Sequence, residues 1–246
     1  MSPAFELSII IPCLNEERRL PRTLGRIRDW LGKQNFSAEV IVVDDASTDA
    51  TARIAEEWRA QIPALRTMRT GEINHGKGYA VRCGMLAAQG RVALFTDADL
   101  SAPIEEADKL LRAMESHDVA FGSRAVDRRL IEVHQSRRRE LAGIAFNKVV
   151  QVVAWLPWVD TQCGFKAFRL ERTRIIFEQQ RIWGFGFDPE LLFLAKRHGL
   201  TAAEIPVRWA HDPDTKVRVL ADGIKMIFEL FEVRLNWMRG RYPRGR

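Results

Sequence analysis

GRVALFTDADLSAPIEE, residues 90–106, sets the apolar run Val92–Phe95 just ahead of two aspartates one residue apart, Asp97 and Asp99. A short apolar run bounded by turn residues reads as a buried strand. Ser101, Pro103, Glu105 and Glu106 then read as the amino terminus of a helix. The same pattern recurs at Leu7–Ile11, Val40–Val43 and Val119–Phe121, and helical stripes separate the runs. Leu20, Leu24, Ile27 and Leu31 form one stripe, and Thr51–Trp58 and Gly78–Ala88 form two more. Strand and helix alternating in this way predict an α/β fold with a central, mostly parallel sheet flanked by helices. Ligands of such sheets bind at the carboxyl ends of the strands.

The second half is less regular. Arg137 to Leu156 and Asp188 to His198 read as helices, Ala203–Trp209 as a strand, and WVDTQCGFKAFRL (158–170) as a polar turn running into an apolar segment. No repeat and no Gly/Ser linker divides the chain, which predicts one compact domain.

At 246 residues and 46% hydrophobic, the chain can bury a sizeable core. A net charge of +6 favours an anionic partner: nucleic acid, anionic lipid or a phosphorylated small molecule. No interleaved aromatic and basic motif supports nucleic acid. Cys13, Cys83 and Cys163 are odd in number and form no CxxC pair, as expected of reduced thiols in a cytoplasmic protein. The amino terminus lacks a basic n-region, and VVQVVAWLPWV (149–159) is about half of what a bilayer needs, so no signal peptide or spanning segment is expected.

Polar clusters follow each run: Pro12-Cys13-Leu14-Asn15-Glu16, Asp44-Asp45-Ala46-Ser47, Asp97-Ala98-Asp99 and Gly122-Ser123-Arg124. Alone, Asp-x-Asp is an ordinary turn and helix start. In a shared crevice, with Asp44 and Asp45 approaching from the neighbouring strand end, the acids repel. Two unit charges about 4 Å apart cost roughly 4 kcal/mol at an effective dielectric near 20. Aspartate oxygens without His or Cys suit Mg²⁺ or Mn²⁺, shared with substrate phosphates. Gly76-Lys77-Gly78 offers a cation and free N–H groups before a helix, although taken alone it reads better as a loop with a solvated lysine. Neither the Walker nor the dinucleotide glycine pattern is present.

Taken together, SIIIPCLNEE (8–17), VIVVDDASTDAT (40–51), NHGKGYAVRCGM (74–85), LFTDADLSAP (94–103), GSR (122–124) and DTQCGFKAF (160–168) resemble the inverting family 2 glycosyltransferases with the GT-A fold. The match runs over roughly residues 5 to 210. It is nearest to the branch that includes dolichyl-phosphate glucosyltransferases and other polyprenyl-phosphate glycosyltransferases. The resemblance implies a GT-A domain over 1–210, with a nucleotide-sugar and metal half at 1–123 and an acceptor half at 124–210. An amphipathic basic segment follows at 211–246.

It further implies that Pro12, Leu14, Asn15 and Glu16 line the nucleotide pocket, with Lys77 and Ala98 beside them. Asp44 or Asp45 would hydrogen-bond the base or ribose. Asp97 and Asp99 would bind Mg²⁺ or Mn²⁺ and through it the donor diphosphate, with Gln162 near the metal or sugar. Arg124 and one of Arg137, Arg138 or Arg139 would contact the acceptor phosphate, and Lys216 and Arg218 could reach it too. The family commonly carries glycine where Ala46 and Ala50 stand. The implied reaction is inverting transfer of a hexose, glucose from UDP-glucose in this branch, to a polyprenyl phosphate. GDP-mannose and UDP-N-acetylglucosamine are the next donors.

Alternatives are a hydroxyl acceptor with Asp188 as base, Asp188 otherwise being a cap for a helix starting at Pro189, and a non-catalytic nucleotide-sugar-binding module. The arginines from Arg124 to Arg139 read either as a solvated face or as a phosphate-binding one. In the tail, Leu220, Ile224, Ile227, Phe228, Phe231, Leu235 and Met238 recur at helical spacing among basic residues. That stripe either docks on the domain or a dimer partner, or lies on anionic lipid, giving a peripheral protein on the cytoplasmic face of a membrane.

Overall fold

The computed structural model describes residues 3–133, 137–212 and 219–243, and for 137–142, 144–146 and 219–222 the backbone alone. Lys216 and Arg218 lie outside the described residues, as do the side chains of Arg137, Arg138 and Arg139.

The first half alternates as expected: β1 (Phe5–Cys13), α1 (Leu20–Leu31), β2 (Ala38–Asp44), α2 (Thr51–Glu57), β3 (Leu65–Arg69), α3 (Lys77–Ala87), β4 (Gly90–Thr96) and α4 (Ala107–Ala113). The second half holds β5 (Val119–Ser123), β6 (Ile131–Val133), α5 (Arg137–Ala154), β7 (Phe165–Arg169), α6 (Leu170–Gln179), α7 (Phe187–Arg197), β8 (Ala202–Pro206), β9 (Trp209–Ala210) and α8 (Val219–Met238).

Seven strands form the main sheet in the order β3-β2-β1-β4-β7-β5-β8, while β6 and β9 pair separately. Only β7 runs against its neighbours, antiparallel to both β4 and β5. Period-2 alternation splits the side chains between two cores. Ile9, Ile11, Val40 and Val42 face α1, with Leu20, Leu24 and Ile27 packed on them. Ile10, Ile41, Val43 and Phe95 face the opposite side, where α3, α6, α7 and α8 contribute Val81, Ile176, Leu191 and Leu230. Each such buried aliphatic chain contributes about 1.5–3 kcal/mol relative to exposure.

Three expectations change. The strand read over Ala203–Trp209 is two strands, β8 and β9, in different sheets. β1 lies between β2 and β4, so Asp44 and Asp45 are not on the strand next to Asp97 and Asp99. In the tail, most of the described stripe is turned away from the domain core. α8 packs through Leu230, Val233 and Asn236, all buried, whereas Ile224, Phe228, Phe231, Leu235 and Met238 are exposed. Among the described residues no helix is long and apolar enough to cross a membrane.

Candidate active site at the carboxyl edge of the sheet

β1, β2 and β4 are mutually parallel, so Cys13, Asp44 and Thr96 end at one edge. Because β7 runs the other way, the turn that precedes it arrives at the same edge. The register Thr96↔Phe165 then sets Gly164 opposite Asp97. A side chain at Gly164 would overlap the Asp97 carboxylate.

Two clefts share this edge. The first is lined by Pro12, Leu14, Glu16, Asp45, Lys77 and Ala98, with Asp97, Asp99 and Phe185 at its far end. Two residues expected there are turned elsewhere. Asn15, at φ 54°, ties the β1 loop to the β2 loop: its N–H donates to Ser47 Oγ at 2.9 Å and its Oδ1 accepts from Thr48 N at 2.8 Å. Asp44 is buried behind the cleft wall, its Oδ1 accepting from Ser47 N at 3.1 Å. Its Oδ2 is buried with no partner among the described residues. Asp45 lines the cleft but is already occupied, accepting from Thr70 Oγ1 at 2.5 Å, Gly76 N at 2.7 Å and His75 N at 3.1 Å. Ala46 adopts φ 62°, the left-handed conformation that glycine takes without strain, so the turn keeps its shape despite the alanine.

Asp97 Oδ1 meets Lys77 Nζ at 2.5 Å. Burial pulls the Lys77 ammonium down, but Asp97, Asp188 and Asp99 outweigh it and hold the group above its ordinary range. Asp99 accepts from Ser101 N at 2.9 Å. Burial and then the Asp97 charge push its carboxyl up, against the pull of Ser101 and Lys77. Among the described residues no group of three or more His, Cys, Asp or Glu is placed to hold a metal ion by itself. Two carboxylates fit Mg²⁺ or Mn²⁺ when diphosphate and water complete the shell. The donor set is hard oxygen, and the uncompensated charge on Asp99 is what a cation would relieve.

The second cleft shares Lys77, Asp97, Asp99 and Phe185 and adds Arg124, Gln162, Asp188, Trp209, His211 and Met226. Arg124 forks onto Asp160, with Nε and Nη2 each 2.7 Å from a carboxylate oxygen, and lies over the Trp209 ring at 5.5 Å. Burial works against its charge, and Asp160 more than offsets that. Gln162 Nε2 points to Met226 Sδ at 3.9 Å.

Asp188 is not a helix cap. α7 begins one residue earlier, at Phe187, and the Asp188 carboxylate takes Lys166 Nζ at 2.5 Å, both side chains being buried. Burial pushes the Asp188 carboxyl up against the pull of Lys166. The capping falls to Glu229 of α8, which accepts from Gly186 N at 2.7 Å and lies flat against Gly184 and Gly186.

Sequence reasoning missed Lys166, Phe185 and His211. A lysine inside FKAFR, an otherwise apolar run, was a usable signal for a buried charge needing a partner. GFGF (184–187) signalled a close backbone approach. Nothing local singles out His211.

The strand order, the acid pair beside a lysine and two clefts meeting at that pair define a GT-A glycosyltransferase. The chain belongs to glycosyl transferase family 2, whose family description matches residues 8–184. Dolichyl-phosphate beta-glucosyltransferase of Drosophila melanogaster is 36% identical, covering 98% of this chain and 78% of that protein. The Homo sapiens protein of the same name is 30% identical over the same shares. Among solved structures, glucosyl-3-phosphoglycerate synthase from Mycobacterium tuberculosis, in complex with Mn²⁺, UDP-glucose and phosphoglyceric acid, superposes with a TM-score of 0.66. It is 18% identical and is covered over 81% of its length by 99% of this chain.

Proposed function

We propose that this glycosyltransferase moves glucose from UDP-glucose to a polyprenyl phosphate of the dolichyl type, with inversion at the anomeric carbon. The observation that carries the reading is the meeting of two clefts at Lys77, Asp97, Asp99 and Phe185. Dolichyl phosphate and glucose follow the relatives, which match nearly the whole chain at 30% and 36% identity. UDP-glucose is also in keeping with the ligand of the structural neighbour.

On the donor side, Asp45 lines the cleft and holds the loop that presents Lys77. The Lys77 ammonium stands where charge develops on the departing diphosphate. Asp97 and Asp99, with the amide of Gln162 in reach, would hold Mg²⁺ or Mn²⁺, which when bound supplies Lewis-acid stabilisation of that leaving group. On the acceptor side, Arg124 provides a guanidinium held in place by Asp160. A phosphate monoester has a second pKa of about 6, so at neutral pH its oxygen is ionised and can attack without a general base. That agrees with an Asp188 committed to Lys166. The reading includes peripheral attachment on the cytoplasmic face of a membrane.

The test is a panel of UDP-glucose, GDP-mannose and UDP-N-acetylglucosamine against polyprenyl phosphate with Mg²⁺ or Mn²⁺, scoring lipid-linked product. UDP-glucose is expected to lead by at least about tenfold, roughly 1.4 kcal/mol of discrimination. Faster transfer from GDP-mannose would reassign the donor. Transfer to hydroxyl acceptors alone would restore Asp188 as a base. Nucleotide binding without any transfer would leave only a binding module.

A further inference from the structure

α8 is apolar on two faces. Its inner face carries Leu230 and Val233, fully buried, and Trp237 packed against the core. At 100° per residue, Ile224, Phe228, Phe231, Leu235 and Met238 cluster on a second face, centred roughly 150° around the helix from the first. They are 58, 70, 57, 38 and 70% exposed. Their stripe is about 20 Å long. Beside it stand Val152 of α5 and Trp155 in the turn that follows, 72 and 58% exposed. The Arg234 guanidinium of α8 reaches across to that turn, 3.6 Å from the centre of the Trp155 ring.

A helix already docked through its other face has no folding reason to keep this row. Scattered exposed apolar residues are normal on a soluble surface, but a contiguous ridge of large ones marks a contact.

The charges around the ridge choose the occupant. Lys225, Arg239 and Arg241 are exposed along α8 and just beyond it, and Lys148 is exposed one turn before Val152. Glu229 is turned inward to Gly186, leaving Glu232 as the acid on the exposed side among the described residues of α8. A second copy of the chain packing face to face would set this basic margin against itself. An anionic bilayer complements it, and Trp155 with Arg234 over its ring is the pairing of amphipathic side chains that suits the headgroup layer.

We infer that the outward ridge of α8, together with Val152 of α5 and Trp155 just after it, seats the enzyme in the interface of an anionic membrane. The inference deepens the proposed reaction, because it rests on a lipid acceptor and names the surface that brings the enzyme to it.

The test is flotation of the full chain with phosphatidylcholine vesicles, with and without roughly one third phosphatidylglycerol, in the absence of donor and acceptor. The double variant Phe228→Gln/Phe231→Gln is compared with the unaltered protein. UDP affinity and the melting temperature verify folding. Expected are binding favoured by the anionic lipid and a loss of at least about tenfold in partitioning for the variant, with UDP affinity held within about twofold. Unchanged partitioning of a folded variant overturns the inference. So does a lipid-free dimer, seen by sedimentation velocity, that the same substitutions dissolve. Vesicle binding through the ridge with no glucosylated lipid formed would sink the proposed acceptor and leave this surface standing.

Discussion

The region built on β1, β2 and β4 and the region built on β5, β7 and β8 hold their acids by opposite means. In the first, three strand-end carboxylates are met by backbone N–H groups, Asp44 by Ser47, Asp45 by His75 and Gly76, and Asp99 by Ser101, while a single lysine, Lys77, meets Asp97. In the second, Asp160 and Asp188 are met by the cations of Arg124 and Lys166. Backbone donors leave a carboxylate its full charge and so leave the first region ready for a cation. Ion pairs cancel charge internally, and the second region keeps its acids as struts.

The sharpest way to break this contrast is at the acid pair. Asp97→Asn and Asp99→Asn should each lower metal-dependent turnover by about a thousandfold, roughly 4 kcal/mol, with the melting temperature nearly unchanged. Normal rates in both variants would place the charged function elsewhere.

Lys166→Met should strand Asp188 as a buried unpaired acid and cost about 3–5 kcal/mol in urea unfolding, most of it regained in Lys166→Met/Asp188→Leu. A neutral single variant would show that the second region does not depend on its pair.

Glu190 sharpens the same point, since it is buried with no cation paired to it among the described residues and accepts from Tyr242 Oη at 2.6 Å and from Arg181 N and Ile182 N. Burial pushes its carboxyl from 4.5 to about 7. The folded state therefore binds more protons than the unfolded state between those values, and stability falls as pH rises through that window. The loss is about 3 kcal/mol. Glu190→Gln should flatten that slope in unfolding measured between the two pH limits, and an unchanged slope would remove Glu190 as its source.

Gly164→Ala tests whether the second region aims the first. A methyl there displaces the Asp97 carboxylate, so turnover should fall about a hundredfold, roughly 2.7 kcal/mol, with little change in melting. The smallest effect is expected at Ala46→Gly, which relieves a left-handed alanine and should raise stability by about 1 kcal/mol or less.

Legibility in the sequence follows the same division. β1, β2, β4 and β5 are short apolar runs, and the acids after β2 and β4 sit in local turns, so residue order alone exposes them. β3, LRTMR, alternates with polar residues at the sheet edge and gives no apolar run. β7 hides because Lys166 interrupts it, and its antiparallel direction depends on pairing with β4, which no local pattern encodes. Asp188 looked like a cap because its partner, Lys166, stands 22 residues away. In the tail the most regular stripe is the outward one, and the docked face is hidden because Glu229 and Asn236 break its apolar pattern while being themselves buried.

One turn of α8 carries Phe228 outward and Glu229 inward to the N–H of Gly186. Gly186 adjoins Phe185, the aromatic wall common to both clefts. Glu229 thus ties one turn of α8 to the backbone beside that wall, so a substitution confined to the tail helix reaches the cleft lining through a single hydrogen bond.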